Sequence, residues 1–81
     1  MGLKVILDWY DKKTEAAEGK EYSADLGDDP SIIEVLGLMD EGEIYDGGFD
    51  LKAAWVQQLQ PLFNHKIEAA IYDYQISFRY R

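Results

Sequence analysis

Hydrophobic and polar residues alternate most regularly at the two ends of the chain. Near the C-terminal end the apolar positions are Tyr72, Tyr74, Ile76, Phe78 and Tyr80, and polar residues separate them. Near the N-terminal end Leu3, Val5, Leu7 and Trp9 alternate with Lys4, Ile6, Asp8 and Tyr10. A period of two is typical of a strand with one buried face. Both ends are therefore predicted to be strands of one sheet.

A polar turn and a returning strand are predicted after the first strand. Asp11-Lys12-Lys13-Thr14 supplies turn residues, and residues 15–23 can return as a second strand. Gly19 marks a bulge or bend in that strand. The first 23 residues are thus predicted to form a hairpin.

A short helix is predicted to begin at Asp28-Asp29-Pro30-Ser31. Asp29 is expected as the N-cap and Pro30 at the first helical position. Apolar residues then recur at helical spacing, and Gly37 is expected to end the helix after about two turns because glycine readily adopts the left-handed conformation. The apolar positions are Ile32, Ile33 and Leu36.

The second half of the chain is less regular. Residues 38–48 are predicted to be an acidic loop, and the alternation over 49–55 suggests a third strand, although a helix stays open there. Residues 56–63 fit a helical turn closed by Pro61, and the last strand is expected to begin at Ile67. These elements predict an α+β fold in which one short helix packs on one face of an antiparallel sheet. Residues 1–81 are expected to form one domain.

The charge is concentrated in the middle of the chain. Residues 21–51 contain ten acidic residues and no Lys, Arg or His, whereas the remaining residues contain six acids and eight bases. A net charge of −8 that is distributed so unevenly favours a cationic partner. It argues against direct binding to nucleic acid or to an anionic membrane, since both need basic patches.

The composition also points to a cellular compartment. The chain has no cysteine, which excludes disulfides and thiolate metal sites and is usual in a reducing compartment. Met1-Gly2-Leu3-Lys4 lacks the apolar run of a signal peptide, and no stretch approaches the roughly 20 apolar residues that cross a bilayer. A cytoplasmic location is expected.

No combination of residues indicates catalysis. His65 is the only histidine, and it is expected to be a structural residue of the Asn64-His65-Lys66 turn. No catalytic residue, cofactor or metal ligand is therefore assigned.

Calcium binding is the principal alternative. The segment Asp40–Asp46 holds four acidic residues, but their spacing departs from that of an EF-hand loop. A calcium-binding or general protein-interaction module, with residues 40–50 as its site, stays open as the alternative function.

Segments scattered in the same order along the whole chain resemble the cloacin immunity family, which includes the immunity proteins of cloacin and of the ribosome-inactivating E-type colicins. The segments are Met1-Gly2-Leu3-Lys4, Trp9, Asp11-Lys12, Thr14-Glu15, Glu21-Tyr22-Ser23, Gly27-Asp28-Asp29, Gly47, Phe49-Asp50, Trp55-Val56, Leu59-Gln60-Pro61, Phe63-Asn64-His65, Ser77-Phe78 and Tyr80-Arg81.

The resemblance implies a four-stranded antiparallel sheet with a short helix, and a cytoplasmic bacterial protein that can leave the cell in complex with its toxin. The implied partner is the basic ribonuclease domain of a cognate bacteriocin, which cuts small-subunit ribosomal RNA. The protein is expected to be a monomer or a weak homodimer.

The outward face of the sheet is the expected contact surface. Relatives carry aromatic anchors at the positions occupied here by Tyr10, Ala17 and Gln75, and set toxin specificity at the position of Gly48. Only Tyr10 keeps an aromatic ring, so a different toxin variant is expected. The predicted toxin-binding residues are Asp8, Tyr10, Ala17, Glu21, Gly48, Asp50, Asp73 and Gln75.

Overall fold

Four antiparallel strands form one sheet, which confirms the α+β fold. The structure is a computed structural model and describes residues 2–45 and 47–80; Met1, Asp46 and Arg81, which the sequence interpretation included, lie outside the described residues. The strands are β1 (Leu3–Asp11), β2 (Ala17–Tyr22), β3 (Phe49–Asp50) and β4 (Tyr72–Tyr80), in the spatial order β2-β1-β4-β3.

The long central pair β1 and β4 defines the two faces of the sheet. Leu7 lies opposite Ile76 and faces the core, whereas Asp8 lies opposite Gln75 and faces away from it. We call these the inner face and the outer face. On β1 and β4 the inner face comprises Leu3, Val5, Leu7, Trp9, Tyr72, Tyr74, Ile76, Phe78 and Tyr80, and the outer face comprises Lys4, Ile6, Asp8, Tyr10, Asp73, Gln75, Ser77 and Arg79.

The hydrophobic core lies between the inner face and the segments that cover it. Its largest fully buried side chains are Val5, Leu7, Leu59, Ile76 and Phe78. Burying one large apolar side chain stabilises the fold by about 1.5–3 kcal/mol. Both tryptophans are on this side, as predicted, because Trp55 is buried and Trp9 packs against the core.

Helix α1 (Ser31–Val35) lies close to its predicted position. Pro30 is the N-cap, one residue after the predicted N-cap Asp29. The Asp29 carboxylate instead accepts hydrogen bonds from the hydroxyl and the backbone N–H of Ser31, and these bonds lower the pKa of Asp29. The local turn before the helix therefore uses the side chain that was expected to cap it.

Gly37 ends α1 as predicted, with a φ of +76°. Its N–H donates to the carbonyl of Glu34, and the N–H of Leu38 donates to the carbonyl of Ile33. This is the Schellman pattern, and Leu38 and Ile33 are both buried in the core. The glycine thus turns the chain so that the next residue packs back on the helix.

The predicted hairpin is confirmed, although β2 begins at Ala17 and not at residue 15. In the turn, Asp11 Oδ1 accepts the backbone N–H groups of Thr14 and Lys13, and these bonds lower the pKa of Asp11. The register shifts between Trp9, which lies opposite Gly19, and Tyr10, which lies opposite Ala17. The predicted irregularity at Gly19 is therefore a β-bulge.

The third strand is shorter than predicted. It ends at Asp50, and a 3-10 turn (Ala53–Trp55), helix α2 (Val56–Leu59) and a second 3-10 turn (Gln60–Leu62) follow. A helical path places Trp55 and Leu59 on one side, where both are buried. The helical alternative is thus confirmed from Ala53 onward, and the strand is wrong beyond Asp50.

The last strand begins at Tyr72, so the predicted start at Ile67 is wrong. The N–H of Ile67 donates to Gln60 Oε1, and the N–H groups of Ile71 and Tyr72 donate to the carbonyl of Glu68. These bonds hold residues 67–71 in a turn. Within residues 2–45 and 47–80, no helix combines the length and the apolar character that a membrane crossing needs.

Candidate protein-binding site on the outer sheet face

Seven of the eight predicted contact residues lie on or beside the outer face. Strand register places Tyr10 opposite both Asp73 and Ala17. Gln75 lies between Asp8 on β1 and Asp50 on β3. Gly48 precedes β3, and a Cβ atom on it would lie 3.4 Å from Gln75 Oε1. The fold therefore gathers residues that are far apart in sequence onto one surface.

A groove of about 790 Å³, which we call the β4 groove, extends from this surface to the β3 side of β4. It forms because β3 pairs with β4 only at Ile76 and Gln75, so that Tyr72, Asp73 and Tyr74 pair with β1 on one side and have no strand on the other. It contains both aromatic rings and charged groups. Its walls include Tyr10, Lys12, Glu15, Asp50, Tyr72, Asp73 and Gln75.

A smaller depression of about 260 Å³ lies on the other side of Gln75. Asp8, Gly48 and Gln75 line it, together with Lys20 and Arg79. Gln75 is shared by both depressions and donates a hydrogen bond to Asp50 Oδ1 at 3.2 Å. The two depressions are therefore parts of one continuous surface.

Two of the predicted acidic contacts are already paired with lysines. Lys12 Nζ lies 2.8 Å from Asp73 Oδ1, and Lys20 Nζ lies 3.6 Å from Asp8 Oδ1. Among the described residues these are the only ion pairs. The outer face is consequently close to electrically balanced, and the excess negative charge of the chain lies elsewhere.

That excess lies in residues 25–43, which join β2 to the segment before β3. Its acids are Asp25, Asp28, Asp29, Glu34, Asp40, Glu41 and Glu43, and this part of the chain contains no basic residue. All seven are exposed, and none pairs with a lysine or arginine of the described residues. The surface therefore has an acidic part and a separate, balanced sheet face.

The family comparison decides what kind of protein this is. The model of the cloacin immunity protein family matches residues 2–81, which is nearly the whole chain. The chain belongs to the cloacin immunity protein family. The resemblance seen in the sequence is thereby confirmed, and membership gives the chain a role in bacteriocin immunity, which implies that it binds a cognate bacteriocin.

Glu21 does not lie on the outer face of this immunity protein, so its predicted placement is wrong. It lies opposite Leu7, and its carboxylate accepts the backbone N–H groups of Asn64 at 2.8 Å and His65 at 2.9 Å. The bulge between Ala17 and Gly19 is the cause, because one extra residue reverses the alternation of side chains along β2. Glu21 thus fixes a turn that covers the inner face.

His65 has the structural environment that the sequence interpretation gave it. Its ring stacks on the Trp9 indole, with centroids 3.8 Å apart, and its Nε2 is hydrogen bonded to the Tyr74 hydroxyl at 2.8 Å. Tyr74 also accepts the N–H of Glu68, and burial raises the pKa of the Tyr74 hydroxyl. The cluster joins the end of the sheet to the turn that precedes β4.

The calcium alternative finds no support in the described residues. Within residues 2–45 and 47–80, no three His, Asp or Glu side chains are grouped so that they could hold a metal ion. One of the four acids proposed for the loop, Asp46, lies outside that part of the chain.

Sequence reasoning missed three residues that line the two depressions. Lys12 and Lys20 were assigned to a turn and a strand without a partner, and Tyr72 was assigned only to the inner face, although it also lines the β4 groove. Strand register would have revealed the Lys20–Asp8 pair, since the two residues lie directly opposite each other. The Lys12 contact depends on the turn geometry, for which the sequence carried no signal.

Proposed function

We propose that this chain is an immunity protein that binds and neutralises the ribosomal RNA-cleaving ribonuclease domain of a cognate bacteriocin. It would act in the cytoplasm of the producing bacterium, before the nuclease reaches a ribosome. Family membership is the observation that carries this proposal. The net charge of −8 adds to it, because a domain that binds RNA phosphates is expected to be basic.

The charge distribution supports a division of roles within the chain. The exposed acids of residues 25–43 would attract the nuclease over several ångströms and accelerate its association, up to about 10⁸–10⁹ per molar per second at low salt. The balanced outer face would then make the specific contacts. Electrostatic attraction mainly raises the association rate, whereas close packing mainly slows dissociation.

The outer face offers suitable specific contacts. Tyr10 is half-buried in the β4 groove and would serve as an aromatic anchor, a residue type that commonly carries about 2 kcal/mol or more of binding energy. Gln75, Asp50 and Asp73 surround it with polar groups. Ala17 and Gly48 present little or no side chain and would leave room for side chains of the nuclease.

The test is inhibition of ribosome cleavage. The purified chain is mixed with the ribonuclease domain of an E-type colicin, and cleavage of small-subunit RNA in intact bacterial ribosomes is followed. We expect cleavage to stop once the chain is in excess over a domain that it binds. An unrelated ribonuclease that also cuts RNA serves as a control and should stay active.

Absence of both binding and protection with every ribosome-directed bacteriocin nuclease, even at low ionic strength, would contradict the proposal. A titration with calcium is a useful parallel measurement. A rise in the melting temperature on adding calcium would favour the calcium-binding alternative, and we expect no such rise.

A further inference from the structure

Lys12 and Asp73 form an ion pair in the wall of the β4 groove. Lys12 Nζ lies 2.8 Å from Asp73 Oδ1, and the two side chains are 42% and 59% exposed, respectively. Both residues line the groove, together with Tyr10 and Tyr72. The Lys12 ammonium group therefore already binds the Asp73 carboxylate, which an incoming partner would otherwise contact.

The chemistry of the groove suits a planar cation. Three carboxylates line it, from Glu15, Asp50 and Asp73, whereas Lys12 is its only basic residue among the described ones. A guanidinium group can bind a carboxylate through two parallel hydrogen bonds and can also stack on a tyrosine ring. An ammonium group can do neither as well, because it is a compact point charge.

We propose that the β4 groove receives an arginine side chain of the partner, and that Lys12 is an internal competitor which this arginine displaces from Asp73. The identity of the partner rests on the proposed function, but the cation site itself does not. Lys12 thus acts as a specificity residue. A partner without a cation at this point leaves the internal pair in place and gains nothing from Asp73.

The exchange is energetically feasible because the internal pair is exposed. Exposed ion pairs contribute little to stability, since water screens them and two flexible side chains must be held in place. An arginine that enters the groove replaces one such pair with a bidentate contact that is less hydrated. Lys12 should therefore weaken binding by a small and measurable factor.

Lys12→Met tests this proposal, with Lys13→Met as the matched control. Lys13 is exposed in the same turn and forms no ion pair among the described residues, so both variants lose one positive charge. Any general effect of charge on association is thus equal in both. Melting curves of the two variants show whether each retains the fold.

The first readout is the dissociation constant for the ribonuclease domain of an E-type colicin that wild-type protein binds. We expect Lys12→Met to bind about two- to fivefold more tightly than Lys13→Met. In an Asp73→Asn background the difference should vanish, because Lys12 then has no carboxylate to occupy. Equal dissociation constants for the two variants, or a difference that survives in Asp73→Asn, would overturn the proposal.

The second readout does not need a toxin. N-acetyl-argininamide is titrated into isotope-labelled protein, and backbone amide shifts are followed by NMR. Shifts at Tyr10, Asp73 and Gln75 should saturate at a lower ligand concentration in Lys12→Met than in Lys13→Met. If no toxin domain binds the wild-type chain, the proposed function fails while this titration still decides on the groove; shifts that are absent or equal in both variants would reject the arginine site.

Discussion

The Trp9 indole lies between the backbone of Gly19 and the ring of His65. The indole and imidazole planes are 10° apart with centroids separated by 3.8 Å, and a Cβ atom on Gly19 would lie 2.3 Å from Trp9 Cζ2. The missing side chain at Gly19 therefore makes room for the stack. Through it, the bulge in β2 is joined to the turn that precedes β4.

Gly19→Ala should consequently destabilise the fold. The added methyl group cannot fit without moving the indole, and overpacking of this kind costs about 1–3 kcal/mol. Urea unfolding gives the change in the free energy of unfolding. Gly42→Ala is the control, because a Cβ atom there meets nothing within 4 Å, and it should change stability by about 0.5 kcal/mol or less. Equal stabilities of the two variants would show that Trp9 does not need the space above Gly19.

Glu21→Gln should also weaken the fold, although part of the side chain is exposed. The carboxylate accepts two backbone N–H groups from Asn64 and His65, and an amide offers only one oxygen in its place. Since bonds to charged groups are worth about 1.5–3 kcal/mol, we expect a loss of about 1–2 kcal/mol in urea unfolding.

Glu18→Gln provides the matched control for charge on the same strand. Glu18 is exposed and its side chain forms no hydrogen bond or ion pair among the described residues, so stability should change by about 0.5 kcal/mol or less. A Glu21→Gln protein as stable as Glu18→Gln would contradict the structural role. A selective increase in the nuclease dissociation rate for Glu21→Gln, at unchanged stability, would restore Glu21 as a contact residue.

Tyr74 should make stability fall at high pH. Burial raises the pKa of its hydroxyl above the ordinary value of 10.0, so the unfolded chain loses this proton first as the pH rises. The stabilisation that comes from the protonated Tyr74 hydroxyl is fully present below the pKa of the unfolded chain. It is lost as the pH rises through the higher pKa of the folded protein. We expect the free energy of unfolding, measured by urea at several pH values, to decline above about pH 10.

Tyr74→Phe separates this contribution from that of other tyrosines. It should lose about 1 kcal/mol at neutral pH, because the bonds to His65 and Glu68 disappear, and it should show a shallower decline at high pH. Tyr22→Phe is the control for the loss of a tyrosine hydroxyl, since Tyr22 is 56% exposed, and it should change stability at neutral pH by about 0.5 kcal/mol or less. An unchanged slope in Tyr74→Phe would assign the alkaline transition to another group.

The sequence predicted those elements well whose pattern of hydrophobic and polar residues is compatible with only one type of secondary structure. The period of two extends over all nine residues of β4 and over the inner-face residues 3–9 of β1, and Gly37 adopts the left-handed conformation that ends α1. The alternation over residues 49–55 was too short to exclude a helix. There the burial of Trp55 and Leu59 decided the outcome, and burial depends on tertiary packing.

The sequence could predict the candidate site only where it could predict on which face of the sheet each strand residue lies. Asp8, Tyr10, Asp73 and Gln75 lie in strands without irregularity between them, so all four were placed on the correct face. Ala17 and Glu21 are four residues apart and would share a face in a regular strand. The bulge at Glu18 separates them, and a sequence shows that a glycine can permit a bulge without showing which residue is left unpaired.

Tyr10→Ala should weaken binding to a ribonuclease domain mainly by accelerating dissociation. Loss of a central aromatic anchor costs about 2 kcal/mol, which corresponds to a roughly 30-fold increase in the dissociation constant. Surface plasmon resonance with an immobilised E-type colicin ribonuclease domain separates the two rate constants. Because the substitution leaves the net charge at −8, the association rate and its salt dependence should stay the same.

Tyr22→Ala is the matched aromatic control for this measurement. Tyr22 lies opposite Ile6 at the far end of the same face and is 56% exposed, but it borders neither depression. Its removal should change the dissociation rate less than threefold, as expected for a residue at the rim of an interface. A larger effect for Tyr22→Ala than for Tyr10→Ala would move the contact surface toward the β2 edge. If neither variant dissociates faster, the nuclease does not bind the outer face, and the acidic residues 25–43 become the surface to test next.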